Sequence, residues 1–251
     1  MRISIVSVCL NAERHIGQML ETVSAQTWHD VEHIVIDGGS SDNTLGIVRD
    51  AANRNQNLHW ISEPDNGISD AMNKGLELAT GEVVGFLHAD DYYPDNEVLG
   101  RVVRAFENNP ETEWLSGGIH HVDGGGRIIR VLPVRRWSFR RLLRGNILFH
   151  PATFIRRSVF KTVGGFDTTL RFAMDYDLWL RVGARSTPYL LDRTLACFRI
   201  HDDSLSVRQV DDAFREEFGV RCRYLQGKPV QRILHRCYFG LKFLPNRLSV
   251  R

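Results

Sequence analysis

GEVVGFLHADDYYPDNE, residues 81–97, is an apolar run (Val83, Val84, Phe86, Leu87) that stops at two adjacent aspartates, Asp90 and Asp91. Side-by-side carboxylates repel each other unless a cation lies between them or water screens both. A short apolar run ending this way reads as a buried strand whose far end faces a ligand. A helix is expected to follow from about Asp95, where Pro94, Asp95 and Asn96 supply the starting signals.

Upstream, the same alternation repeats. ISIVSVCL (3–10), HIVIDG (33–38) and LHWIS (58–62) read as further strands, with EVVGFLH (82–88) the fourth. Helices are expected between them at about 13–26, 43–54 and 67–79, where Leu45, Val48, Ala52 and Ile68, Met72, Leu76, Ala79 recur at three- and four-residue steps. Strands separated by helix-length connections make βαβ units and a mainly parallel sheet. In such sheets ligands bind beyond the carboxyl ends of the strands. The polar residues there are Asn11, then Asp37 through Asp42, then Glu63 through Gly67, then Asp90 and Asp91.

After Pro110 the pattern changes. TEWLSGGIHHVDGGGRIIRVLP predicts two strands joined at Gly124–Gly126, followed by a basic helix at about 138–145. A helix from near Asp175 to Gly183, two strands PYLL and LACFRI, and a helix at about 209–225 complete the prediction. From Val230 to Leu244 apolar residues fall on one helical face opposite a basic one, a pattern suited to lying on an anionic leaflet. Three regions are expected, 1–110, 111–205 and 206–251, the last a basic helical tail.

The 251 residues suffice for a sizeable core, and no apolar segment reaches the roughly 20 residues that span a bilayer. The N-terminal run is broken by serines and reads as a first strand, not a signal peptide. Cys9, Cys197, Cys222 and Cys237 are scattered without metal-ligand spacing, as expected of thiols in a reducing compartment. The net charge of +2 hides a polarity, since residues 1–123 carry 7 Lys/Arg against 20 Asp/Glu and residues 124–251 carry 25 against 10. A basic half of this kind faces an anionic partner, a membrane, a nucleic acid or a phosphorylated substrate, or else is a solvated face; the expected partner is an anionic membrane surface, with no nucleic acid.

Three nucleotide-binding signatures are missing: GxGxxG after the first strand, the P-loop GxxxxGK[ST], and a glycine-rich loop with Arg or Lys. The acidic strand ends therefore carry the chemistry. Two carboxylates at a strand end suit Mg²⁺ or Mn²⁺, which completes its shell with waters and substrate phosphates.

Three blocks resemble the family 2 glycosyltransferases of GT-A fold: SIVSVCLNAERHIGQMLETVSAQTWHDVEHIVIDGGSSDNT, PDNGISDAMNKGLELATGEVVGFLHADDYY and FAMDYDLWLRVG. The resemblance spans about residues 3–205. It implies a Rossmann-like sheet flanked by helices, a smaller acceptor-side region and an inverting transfer from a nucleotide-diphospho-sugar. By that resemblance Asp37 contacts the uracil, while Asn11, Asn66, Gly67, Asp70, Lys74, Ala89 and Asp90 flank the donor. Lys74 reads equally as a helix-surface lysine. Asp90, Asp91 and His201 are the implied ligands of a divalent cation (Mn or Mg), His150 lies on the acceptor side, and Asp175 is the catalytic base. Asp177 is the rival base, two positions on and on another helix face.

The chain departs from the family pattern at His88, where the first carboxylate of the acidic motif would be, and at Met174, where a glutamate precedes the base. The expected enzyme moves a sugar, UDP-linked, to a hydroxyl of a glycan or lipid-linked acceptor in cell-surface polysaccharide synthesis. Its expected location is cytoplasmic, peripheral to the membrane. The alternatives are a GDP- or dTDP-sugar donor, or a non-catalytic nucleotide- or sugar-binding module.

Overall fold

The structure is a computed structural model, described here for residues 1–200, 209–226 and 235–236. Strands β1 (Ile3–Cys9), β2 (Val31–Asp37), β3 (Leu58–Ser62) and β4 (Val83–Phe86) alternate with helices α1 (Ile16–Ser24), α2 (Thr44–Arg54) and α3 (Ile68–Leu78). They pair in parallel in the order β3-β2-β1-β4. Every residue of β1 is buried, Ser4 and Ser7 included, so the strand shows no alternation of buried and exposed positions. Gly75 of α3 is required by this packing, since a Cβ there would meet Cγ1 of Val6 at 2.3 Å.

Beyond β4 come α4 (Val98–Asn108), β5 (Trp114–Val122), β6 (Ile128–Leu132), α5 (Phe139–Leu142), β7 (Thr153–Arg156), α6 (Arg157–Val163), α7 (Met174–Gly183), β8 (Tyr189–Arg199) and α8 (Val210–Arg223). β7 joins β4 and β5 antiparallel, β6 closes a hairpin on β5, and β8 runs parallel to β5. The result is one eight-stranded mixed sheet with its parallel half at the N-terminus. Two apolar layers cover its faces. One is built from Ile16, Met19 and Leu20 of α1, Val48 of α2 and the buried side of α4. The other comes from Met72 of α3, Phe160 of α6 and Leu178, Trp179 and Leu180 of α7.

Three expectations need correction. PYLL and LACFRI are one strand, because the polar Asp192-Arg193-Thr194 between them is a register irregularity against β5 and not a turn. Helix α4 starts at Val98, not near Asp95, and Gln26 at the end of α1 supplies the acceptor for the Leu99 N–H at 3.0 Å. The basic helix contracts to Phe139–Leu142, capped by Ser138 Oγ accepting from the Arg141 N–H.

Helix α8 packs on α7, so this part of the C-terminal region joins the body of the fold. No helix among the described residues is long and apolar enough to cross a membrane. The amphipathic face from Val230, apart from His235 and Arg236, lies outside the described residues.

Candidate active site

The carboxyl ends of β1 and β4, the loop before α7 and the His150 turn line one cleft of about 710 Å³. It brings together Asn11, Ala89, Asp90, Asp91, His150 and Asp175 from the sequence reading, with His88 beside them. Asp37, Asn66, Gly67, Asp70 and Lys74 are not among its walls, and His201 lies outside the described residues.

The loops after β1 and β2 are zipped together at the cleft's edge. Asn11, with φ of 50°, accepts the Ser41 N–H at 2.8 Å, and its own N–H donates to Ser40 Oγ at 2.8 Å. Glu13 accepts the Asn43 N–H at 2.9 Å, and the Ala12 N–H donates to Thr44 Oγ1. Helix α1 therefore begins three residues later than its sequence suggests, because Glu13 is spent on this junction.

Asp37 is fully buried at the end of β2. Its Oδ2 accepts from the N–H groups of Gly39 and Ser40 and from Ser62 Oγ at 2.7 Å, and its Oδ1 from Ser40 Oγ. Burial pushes this carboxyl up, but those hydrogen bonds outweigh it and hold the group below its ordinary range. Gly38 lies against Asp65, where a Cβ would meet Oδ2 at 2.4 Å. Across the next loop, Asp70 accepts the Asn66 N–H, and Lys74 reaches Glu63 at 2.7 Å and the Pro64 carbonyl at 3.2 Å. Lys74 thus fastens its own loop to α3.

The acidic turn after β4 has an unusual support. Asp91 is 1% exposed, its Oδ1 accepts the Arg199 N–H at 3.1 Å, and its Oδ2 is buried without a partner among the described residues. Burial, then the neighbouring Asp90, push the Asp91 carboxyl well above its ordinary range. The Arg199 side chain, itself 2% exposed, ties the turn to the β5–β6 loop and to α1. Its Nε donates to the Asp90 carbonyl at 3.0 Å, its Nη1 to the Gly124 carbonyl at 2.8 Å, and its Nη2 to Gln18 of α1. The guanidinium also lies 5.3 Å from the centre of the Tyr92 ring. An orphaned buried carboxylate oxygen beside a second carboxylate is a fitting place for a divalent cation. No cluster of three or more His, Cys, Asp or Glu among the described residues makes a complete cage. Two carboxylates are the expected protein share for an ion that takes its other ligands from a diphosphate and water.

Asp175 sits in the first turn of α7. Burial, opposed by hydrogen bonds from the Tyr176 N–H and from Asn146, raises its carboxyl to about 6. The Asn146 bond, to Oδ2, is 2.9 Å long. The loop entering α7 is clamped from α8, where the Glu216 carboxylate accepts the N–H groups of Arg171, Phe172 and Ala173 at 2.8, 2.6 and 2.7 Å. Asp177 faces elsewhere, pairing with Arg181 at 2.7 Å and Arg223 at 3.4 Å around a separate pocket.

The His88 and His150 rings stack with centroids 4.7 Å apart and planes 13° from parallel. Burial keeps both imidazoles neutral, lowering His150 far below its ordinary value with His88 adding to the effect. Phe86, Phe166 and Trp179 surround His150. The stack accounts for a histidine at position 88, which packs on its partner ring at the floor of the cleft.

Sequence reasoning missed Arg199, Asn146 and Glu216. Only Arg199 left a signal, an arginine closing an otherwise apolar strand, which burial requires to be well partnered.

A family model described as Glycosyl transferase family 2 matches residues 4–164. An uncharacterized glycosyltransferase of Mycobacterium tuberculosis is 29% identical over 208 residues, covering 82% of this chain and 76% of that protein. A PGL/p-HBAD biosynthesis glycosyltransferase of Mycobacterium bovis is 32% identical over 194 residues, covering 76% of this chain and 72% of that one.

Among solved structures, Staphylococcus aureus TarS 1-349 in complex with UDP-GlcNAc superposes with a TM-score of 0.72 at 19% identity, covering 99% of this chain and 73% of that one. The mannosyltransferase PcManGT from Pyrobaculum calidifontis, in complex with GDP-Man and Mn²⁺, gives 0.70 at 20% identity, covering 96% and 70%. Of a longer TarS chain, the match spans 40%. The shared architecture is the GT-A fold.

Proposed function

The chain belongs to glycosyl transferase family 2 and is a glycosyltransferase; from that premise we propose that it moves a sugar from a UDP-linked donor, with inversion, to a hydroxyl of a glycan or lipid-linked acceptor. The observation that carries this reading is the pairing, across one cleft, of the Asp90–Asp91 turn with a half-buried Asp175 raised to about 6. A general base works best when its pKa lies near the operating pH.

In this reading Asp175 takes the proton of the acceptor hydroxyl as that oxygen attacks the anomeric carbon. The bond from that carbon to the diphosphate oxygen breaks with its electrons going to the diphosphate, so the configuration inverts in one displacement. Asn146 keeps Oδ2 of Asp175 fixed, and the neutral His150 offers the acceptor side a hydrogen-bonding group that carries no charge into the cleft. Asp90 and Asp91, joined by His201, would hold a Mn or Mg ion, which supplies charge neutralisation to a departing diphosphate. Asn11 and Ala89 line the donor side of the cleft, and in this reading Asp37, Asn66, Gly67, Asp70 and Lys74, which stand outside its walls, meet the nucleotide end of the donor, with Asp37 toward the uracil.

The acceptor belongs to cell-surface polysaccharide or glycolipid synthesis, met by a peripheral protein on the cytoplasmic face of the membrane. The basic half of the chain and the relative named for PGL/p-HBAD biosynthesis support this. Incubating the purified protein with UDP-, GDP- and dTDP-sugars and measuring free nucleoside diphosphate tests the reading. Release from a UDP-sugar alone is expected. Release only from a GDP- or dTDP-sugar would move the donor assignment, and release from none would favour a binding module.

A further inference from the structure

The β5–β6 hairpin and the segment after it expose aliphatic and cationic side chains together. β6 ends the sheet, and its Ile128, Ile129 and Val131 are 51%, 54% and 58% exposed. Because side chains alternate along a strand, these three present apolar surface on both faces of the hairpin. Arg127, Arg130, Arg135 and Arg136 are exposed around them, and the basic surface continues through Arg140 and Arg144. No acidic residue occurs from Gly124 to Phe166 to neutralise it.

An exposed apolar edge strand is ordinarily a site for pairing with another strand. Here a second copy laid against β6 would bring arginines close to arginines, which disfavours self-association. The exposed apolar side chains are aliphatic, whereas single-stranded nucleic acids are held on aromatic stacking platforms. The combination fits the interface of an anionic bilayer, where aliphatic groups enter the headgroup boundary and guanidiniums meet phosphates.

The hairpin is also rigidly joined to the cleft. Arg199 binds the Gly124 carbonyl in the hairpin turn and the Asp90 carbonyl in the acidic turn with the same guanidinium. Downstream, the Arg135 guanidinium lies 5.8 Å from the centre of the Phe149 ring, next to His150, and Asn146 of the same segment holds Asp175.

We propose that the β5–β6 hairpin with its following arginines docks this protein on an anionic lipid surface, bringing the acceptor side of the cleft to the bilayer. Only the purpose of the docking rests on the lipid-linked acceptor proposed above; vesicle binding tests the surface separately. The full chain is sedimented with phosphatidylcholine vesicles with and without phosphatidylglycerol. It is compared with one variant carrying Ile128→Ser, Ile129→Ser and Val131→Ser, and another carrying Arg127→Gln, Arg130→Gln, Arg136→Gln and Arg140→Gln.

The wild type should bind only the anionic vesicles. Each arginine contributes about fivefold to such binding, so the four-arginine variant should bind about 600-fold more weakly. The aliphatic variant should also lose binding, while both retain the wild-type melting temperature and donor turnover. That result supports the docking surface whatever the acceptor proves to be. Equal binding by all three proteins, no binding by the wild type, or a wild-type dimer in light scattering that the variants abolish would each overturn it.

Discussion

Asn146 donates its side-chain N–H to Oδ2 of Asp175 at 2.9 Å, so the carboxylate in the first turn of α7 has one oxygen fixed from the acceptor-side segment. Burial raises this carboxyl to about 6. As a base it acts when deprotonated, so the rate should climb with pH through about 6 and level off above. Asp175→Asn should remove this acid limb and lower kcat on the order of 10²–10⁴-fold with the donor KM unchanged. A pH–rate profile measured under saturating donor decides it.

The same carboxyl makes a stability prediction of opposite sign. Its folded-state value lies above the ordinary 3.8, so folding favours the protonated form. The group is neutral to stability below the unfolded value and destabilises as pH rises through about 6. Asp175→Asn should therefore unfold with a higher midpoint than wild type at pH 7, by on the order of 1–3 kcal/mol, and at the same midpoint at pH 3. Denaturant titrations at the two pH values check this.

Glu216 holds the loop before Asp175 by three backbone N–H groups from another helix. Glu216→Ala should cost about 1–3 kcal/mol of stability and lower kcat more than it raises the donor KM. Glu216→Asp should recover part of kcat, a partial rescue that measured kcat and KM would reveal.

Arg199 is expected to act on the acidic turn through its backbone. Arg199→Ala strands the Asp90 and Gly124 carbonyls and Gln18, at a cost of about 2–4 kcal/mol. Arg199→Lys keeps the charge but not the fork, so it should raise the Mn²⁺ concentration needed for half-maximal activity. A metal titration of the two variants against wild type provides the readout.

The parallel half of the sheet was legible because β1, β2 and β4 are short buried runs and each helix a three- and four-residue pattern, and neither signal depends on distant residues. The acidic end of β4 stood out for the same reason, since two adjacent carboxylates are costly without a purpose. The start of α4 was not legible, because its capping group is Gln26, far back in the chain. The continuity of β8 was hidden by a polar register irregularity that imitates a turn. Asn146 and Glu216 carry no local signature at all, since each matters only through a residue that folding brings to it.

The most direct test of the central claim follows consumption of the UDP-sugar donor, with acceptor and Mn²⁺ present, by wild type, Asp90→Ala and Asp175→Asn side by side. Wild type should release nucleoside diphosphate and stop when EDTA is added, Asp90→Ala should release none, and Asp175→Asn should bind UDP as wild type does yet release little. Undiminished release by both variants, or wild-type release that survives EDTA, would contradict the account.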